Sequence, residues 1–269
     1  MVDNSNKQSD SARIAIELCD VKKNFSGQQV LDGVNLQVEE GTTTVIVGAS
    51  GQGKSVVLKH MLGLMKPDSG QIKVFGQDIS RTSTRQLKEI RKGFGVLFQN
   101  VALFDSMTIY DNVALPLRER TDASESEIRD KVEEKLEMMG LHEVDSKYPA
   151  QVSGGMQKRI GLARALVLDP KIVFFDEPTT GLDALKSNEI YRLFHDTQAR
   201  LGYTAVIVSH DVPKIFKLSD RVALLAGGVI QSSISPEEFQ RSENPLIRNF
   251  VETTMGPIYS SEREETTPL

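Results

Sequence analysis

A buried strand that runs directly into a glycine-rich turn and out into a helix constrains this chain more than any other feature. Thr43 to Val47 reads as that strand; Gly48, Ala49, Ser50, Gly51, Gln52, Gly53, Lys54 and Ser55 form the turn; Leu58, Met61 and Leu62 continue at helical spacing. The turn fits G-x-x-x-x-G-K-[ST]. Its glycines let backbone N–H groups curl around phosphate oxygens, and the start of the helix, through Val56, adds a positive dipole. In this pattern Lys54 reaches the β- and γ-phosphates and the Ser55 hydroxyl ligates Mg²⁺.

A second acidic element fits the same chemistry. Ile172 to Phe175 is an apolar run suited to a central strand, and it ends on Asp176 and Glu177. A central strand delivers such residues to the carboxyl edge of the sheet, where ligands bind in open α/β folds. Asp176 is then placed to hold the magnesium shell, and Glu177 to orient or deprotonate an attacking water. Ser153, Gly154 and Gly155 open a further helix, the one containing Arg159, Ala163 and Arg164. Read locally they are a helix cap; beside a complete phosphate loop they also form a second anion-seeking surface. That surface makes most sense if it serves a nucleotide held by another subunit.

The rest of the chain supplies a frame for these residues. Ile14, Ile16 and Leu18 alternate as in a half-buried strand, as do Val34, Leu36 and Val38, and Gln71 to Phe75 and Gly95 to Phe98 read as further strands. Residues 100–168 are mainly helical, with Ser124 and Glu127 as a capping box before Ile128, Val132, Leu136 and Met139. Strand and helix then alternate again: 172–175, helix 184–200, Thr204 to Val208, helix 211–218, Arg221 to Ala226. Such alternation predicts an α/β core with a mainly parallel sheet. Residues 1–12 and Met255 to Leu269 are expected to be disordered, and the polar start lacks the apolar region of a secretory signal. Apolar runs such as Val222 to Ala226 fall far short of the roughly 20 residues that cross a bilayer. A net charge of −5 argues against a protein that holds nucleic acid by general attraction. The single cysteine, Cys19, cannot form an internal disulfide and reads as structural, which fits a reducing cytosol.

Taken together, the phosphate loop (Walker A, Gly48–Ser55), Gln99, Ser153-Gly-Gly, the acidic strand (Walker B, Ile172–Glu177), Asp183 and His210 resemble, in order and spacing, an ATP-binding cassette (ABC) nucleotide-binding domain. The resemblance covers 14 to about 240. It implies a P-loop NTPase fold over 13–242, with an antiparallel β subdomain and a helical subdomain at about 100–168, followed by a C-terminal helix and flexible tail over 243–269. It further implies ATP and Mg²⁺ as ligands and a homodimer of cassettes. Phe25 looks like the aromatic that stacks on adenine. Gln99 resembles the glutamine that touches magnesium and the membrane partner, and Asp183 the aspartate that works across the dimer. His210 resembles the switch histidine at the γ-phosphate. With Glu177, it and Gln99 form the implied catalytic set. Met156 departs from the usual glutamine after Ser-Gly-Gly.

The stretch from Phe98 to Arg120, together with Ser153-Gly-Gly-Met156, is similar to the ATPases of Mla/Mce-type lipid transporters. That narrower resemblance implies a permease docked at Gln99 to Asp111, a periplasmic lipid-binding subunit, and a peripheral location on the cytoplasmic face of the inner membrane. Leu103, Phe104 and Met107 are the apolar residues expected at the socket. Read without the family, Phe104 and Met107 fill a local core. Other ABC transporters, for amino-acid import or lipoprotein release, remain open, because selectivity lies in other chains. Chromosome-type ABC ATPases insert a long coiled coil where this chain has only residues 100–152, and ribosome-type members carry two cassettes per chain.

Overall fold

The computed structural model describes residues 13–210 and 212–255; of the segments expected to be disordered, 1–12 and Met255 to Leu269, all but Met255, which ends a helix, lie outside the described residues. The strands are β1 (Ile14–Phe25), β2 (Gln28–Glu39), β3 (Thr43–Val47), β4 (Ser69–Val74), β5 (Gln77–Asp78), β6 (Phe94–Leu97), β7 (Ile172–Asp176), β8 (Thr204–Val208), β9 (Arg221–Ala226) and β10 (Val229–Ile234). The helices are α1 (Lys54–Met61), α2 (Thr84–Arg91), α3 (Ile109–Arg120), α4 (Glu125–Met138), α5 (Gly154–Leu166), α6 (Ala184–Leu201), α7 (Val212–Ile215), α8 (Pro236–Gln240) and α9 (Pro245–Met255).

The central sheet has the order β10-β9-β3-β8-β7-β6, parallel throughout except for the β9–β10 pair. Its inner strands are apolar on both faces because both are covered. Ile46, Ile172, Phe174 and Val206 face one core with α1 and the antiparallel sheet, whose order is β2-β1-β4-β5. Val45, Val47, Val173 and Phe175 face the other core with α3, α4, α5 and α6. The period of two thus divides each strand between two hydrophobic layers.

Three elements differ from expectation. β10 carries Gln231, Ser232 and Ser233, too polar to announce a strand, and forms by pairing with β9 at the sheet edge. The short α2 has no fully buried residue and packs only Leu87 and Ile90 against the core, too little apolar surface to mark it; a capping box of Ser83 and Gln86 opens it. The single helix expected over 211–218 is instead α7 followed by a 3₁₀ turn, Phe216–Leu218, which tightens the chain before β9 starts at Arg221.

Candidate active site

The phosphate loop leaves β3 at its carboxyl end and enters α1 in a conformation that needs its glycines. Gly48 has φ 154°, and a Cβ there would lie 2.4 Å from the Leu225 carbonyl oxygen of neighbouring β9. Gly53, the residue before α1, has φ 97°, and a Cβ would lie 2.9 Å from Val30 Cγ1. Both positions are therefore closed to larger residues by geometry.

Lys54 is buried, and its Nζ donates to the Gly48 carbonyl at 2.9 Å and to the Ala49 carbonyl at 3.1 Å. Burial pushes its pKa down, against the charges of Glu177 and Asp176. A cation held by two carbonyls and only partly compensated by carboxylates suits an incoming polyphosphate. Ser55 Oγ donates to Asp176 Oδ1 at 3.2 Å, joining the first turn of α1 to the end of β7 across the sheet edge.

Beyond Asp176 the backbone bends sharply. Glu177 has φ 48°, a left-handed conformation unusual for a residue with a side chain, and its N–H donates to the Val208 carbonyl at 2.9 Å. Its Oε2 lies 2.5 Å from His210 Nδ1. A buried layer holds these loops: Thr179 Oγ1 is 2.9 Å from the Tyr191 hydroxyl of α6, which is 3.4 Å from Ser209 Oγ. Tyr191 and Ser209 stood out in no sequence pattern, although Ser209 directly precedes His210. Gly48, Lys54, Ser55, Asp176, Glu177 and His210 thus share one edge of the central sheet.

The remaining candidates divide between the phosphate loop itself and other parts of the chain. Gln99 follows β6, the strand beside β7, and its side chain is exposed. Phe25 ends β1 in the antiparallel sheet; it is 40% exposed, with Lys23 Nζ 5.6 Å from its ring centroid. Ala49, Ser50 and Gly51 are exposed, and Gln52 Oε1 accepts from the Gly227 N–H at 3.1 Å. Val56 is half-buried. Ser153 and Asp183 are exposed residues at the starts of α5 and α6. Each accepts a backbone N–H of its own first turn, from Met156 at 3.3 Å and from Lys186 at 2.9 Å respectively. Gly155 joins the two starts: a Cβ there would sit 3.8 Å from Lys186 Cδ, while one on Gly154 would meet nothing within 4 Å. Within the single chain, the starts of α5 and α6 are therefore neighbours, on elements other than those that carry Lys54 and His210.

Next to Gln99 lies a groove of about 460 Å³ lined by Phe98, Ala102, Phe104, Leu115, Pro116 and Arg164 among others. Phe104 is 49% exposed, whereas Leu103 packs against the core and Met107 is half-buried, so only one of the three expected apolar residues faces outward. The loop bearing Phe104 is fixed by Asn112, a fully buried side chain that the sequence did not single out. Asn112 Oδ1 accepts the Phe104 N–H at 2.8 Å, and its Nδ2 donates to the carbonyls of Phe104, Met107 and Thr108 at 2.9–3.2 Å.

With this geometry in hand, the comparisons with known proteins agree. A family model described as ABC transporter matches residues 31–180. A probable ribonucleotide transport ATP-binding protein, mkl, of Mycobacterium leprae is 43% identical over 94% of this chain and 74% of its own length. An intermembrane phospholipid transport system ATP-binding protein, MlaF, of Haemophilus influenzae is 39% identical over 85% of this chain and 87% of its own. Among solved structures, cbiO1 from Clostridium perfringens, part of the ABC transporter complex cbiONQ, superposes with a TM-score of 0.79 at 30% identity, covering 90% of this chain and 95% of that one. The dimeric cassette MJ0796, in a post-hydrolysis state with ADP and Pi, gives a TM-score of 0.75 at 31% identity over 82% of this chain and 98% of that one. The chain belongs to the ABC transporter family, as one of its nucleotide-binding, ATP-hydrolysing cassettes.

Proposed function

We propose that this chain is the ATP-hydrolysing subunit of a transporter that moves lipid, phospholipid foremost, between the inner membrane and a periplasmic lipid carrier. The observation that carries the chemistry is the meeting of Lys54, the Ser55–Asp176 pair and the Glu177–His210 pair at one sheet edge. Lys54 and the loop N–H groups hold the β- and γ-phosphates, Phe25 stacks on the adenine, Glu177 receives a proton from the attacking water, and His210 turns from Glu177 to the γ-phosphate. The Ser55 hydroxyl and the Asp176 carboxylate are adjacent hard-oxygen donors, the type Mg²⁺ takes alongside water and substrate phosphates. With Gln99 they would hold the ion, which when bound neutralises charge on the phosphates. Ser153, Gly154, Gly155 and Asp183 complete the site of a second copy, which makes the working unit a head-to-tail dimer.

Two features support the membrane partner. The exposed Phe104, in a groove that combines apolar side chains with Arg91, Arg120 and Arg164, is suited to a cytoplasmic segment of a permease docking at Gln99 to Asp111. Among the described residues no helix is long and apolar enough to cross a membrane, so the permease would be a separate chain that holds this one at the inner face. Lipid as cargo is supported by relatives named for intermembrane phospholipid transport at 36–39% identity. The mycobacterial relatives named for ribonucleotide transport favour a second reading.

One reconstitution separates them. With its permease and carrier in liposomes, the protein should transfer labelled phospholipid only with ATP. Lys54→Ala should abolish this by loss of nucleotide binding, and Glu177→Gln by loss of turnover with binding kept. Transfer of labelled ribonucleotides in place of lipid would establish the second reading and end the first.

A further inference from the structure

The backbone between Gln99 and Ala102 is gripped from beneath by two cations of α5. Lys158, buried, donates from Nζ to the Gln99 carbonyl. Arg164 divides its guanidinium between two neighbours, Nη2 to the Val101 carbonyl at 2.5 Å and Nη1 to the Ala102 carbonyl at 2.8 Å. Burial holds the pKa of both below the ordinary range, and three carbonyls stand in for the lost water. Between the two cations the helix itself touches the loop: a Cβ on Gly161 would lie 2.3 Å from Val101 Cγ1 and 2.8 Å from Leu97 Cδ1.

The loop so held is in a conformation it would not keep alone. Val101 and Ala102 have φ of 57° and 54°, consecutive left-handed residues, and the first is β-branched. Such residues persist where their surroundings over-determine them. Two residues further on, Phe104 is tied at both its N–H and its carbonyl to Asn112 of α3. The opposite end of α5 begins after Ser153. From Ser153 to Arg164 is 11 residues, about 16 Å of continuous helix.

We propose that Lys158 and Arg164 are positioning residues that lock the 99–102 loop to α5, so that closure of Ser153 on a nucleotide carries Phe104 along with α5, past the side of the groove lined by Leu62 and Leu64. The docking reading above supplies only what receives that motion. A rigid helix joined to the loop at three carbonyls and one steric contact has no slack over which a displacement at Ser153 could dissipate.

The chain contains no tryptophan, so Phe104→Trp makes a single reporter on the loop. In a Glu177→Gln background, Mg-ATP should shift the emission of that reporter as the isolated cassettes pair. Adding Lys158→Met with Arg164→Gln should cut the shift roughly fivefold or more, the lower end of usual coupling factors, while light scattering still finds the ATP-trapped dimer. Should that pair of changes lower the melting temperature too far, Arg164→Lys carries the test. It keeps the charge but not the fork that reaches both carbonyls, and is expected to give an intermediate shift. A full shift without the two cations, a full shift in Arg164→Lys, or no ATP-driven shift in the parent reporter overturns the proposal. Failure of the docking reading shows separately, as a permease that stays bound to Phe104→Asp, and leaves the emission result to judge the clamp.

Discussion

His210 Nδ1 and Glu177 Oε2 stand 2.5 Å apart at the carboxyl ends of adjacent strands β8 and β7. A carboxylate accepting that bond puts the imidazole proton on Nδ1. The two side chains differ in setting: Glu177 is largely enclosed, whereas the His210 side chain is 63% exposed and can leave without breaking packing. His210→Ala should therefore keep nucleotide affinity within about twofold and lower turnover roughly 10²- to 10³-fold, the usual cost of removing one donor to transition-state charge. Phosphate release and equilibrium binding of labelled ATP check the two halves. Lost affinity with unchanged turnover would assign His210 to ground-state binding instead.

Asn112 makes a stability prediction with a clear cause. Asn112→Ala leaves the Phe104 N–H and the Met107 carbonyl without their side-chain partner, while the carbonyls of Phe104 and Thr108 keep the backbone N–H groups of Met107 and of position 112. The expected cost is about 2–3 kcal/mol of unfolding free energy, since each orphaned buried group costs on the order of 1–3 kcal/mol and part is recovered by water. Urea unfolding reads the cost directly. Permease capture should weaken as the loop loses its shape, whereas ATP binding at Lys54 should persist. A change below about 0.5 kcal/mol, the range of ordinary surface substitutions, would show that the loop is held by other contacts.

These two sites mark what a sequence can disclose. The phosphate loop, the acidic strand and the inner strands were legible because their chemistry or periodicity is written in consecutive residues. Asn112 was not, for its value lies in carbonyls that only the folded loop brings within reach. Arg164 sits in a helix that was legible, yet its partners at 101 and 102 are set by the packing of α5 on β6. Edge strand β10 depends on β9 for its existence, and α2 turns only Leu87 and Ile90 toward the core, too few to mark a helix. Leu103, read as part of an exposed socket, turns inward because the left-handed residues before it redirect the chain.

A pH dependence follows from His60, a fully buried residue of α1 whose Nδ1 lies 2.7 Å from the Val56 carbonyl. Burial holds its pKa below the ordinary histidine value, against the opposing hydrogen bond to Val56. The unfolded chain takes up this proton near pH 6.5, the folded chain only at lower pH, so between those points the unfolded state binds more protons. Stability must then fall as pH drops below about 6.5, by at most about 1.4 kcal/mol per pH unit from this group. Denaturant unfolding at pH 7.5 and pH 5.5 should show that decline in the parent and a smaller one in His60→Gln. Equal declines in both would mean that other groups carry the acid sensitivity.

The composite site is tested most directly by the mass of the ATP-bound cassette. Glu177→Gln should bind ATP without consuming it, so light scattering should find twice the monomer mass with ATP and the monomer without it. Adding Ser153→Arg places a bulky side chain at an exposed helix start, where it would sterically fill the slot for a partner's γ-phosphate. That double variant should still bind ATP through Lys54 and stay monomeric. A double variant that dimerises with ATP as fully as Glu177→Gln would contradict a nucleotide shared between Lys54 of one cassette and Ser153 of the other.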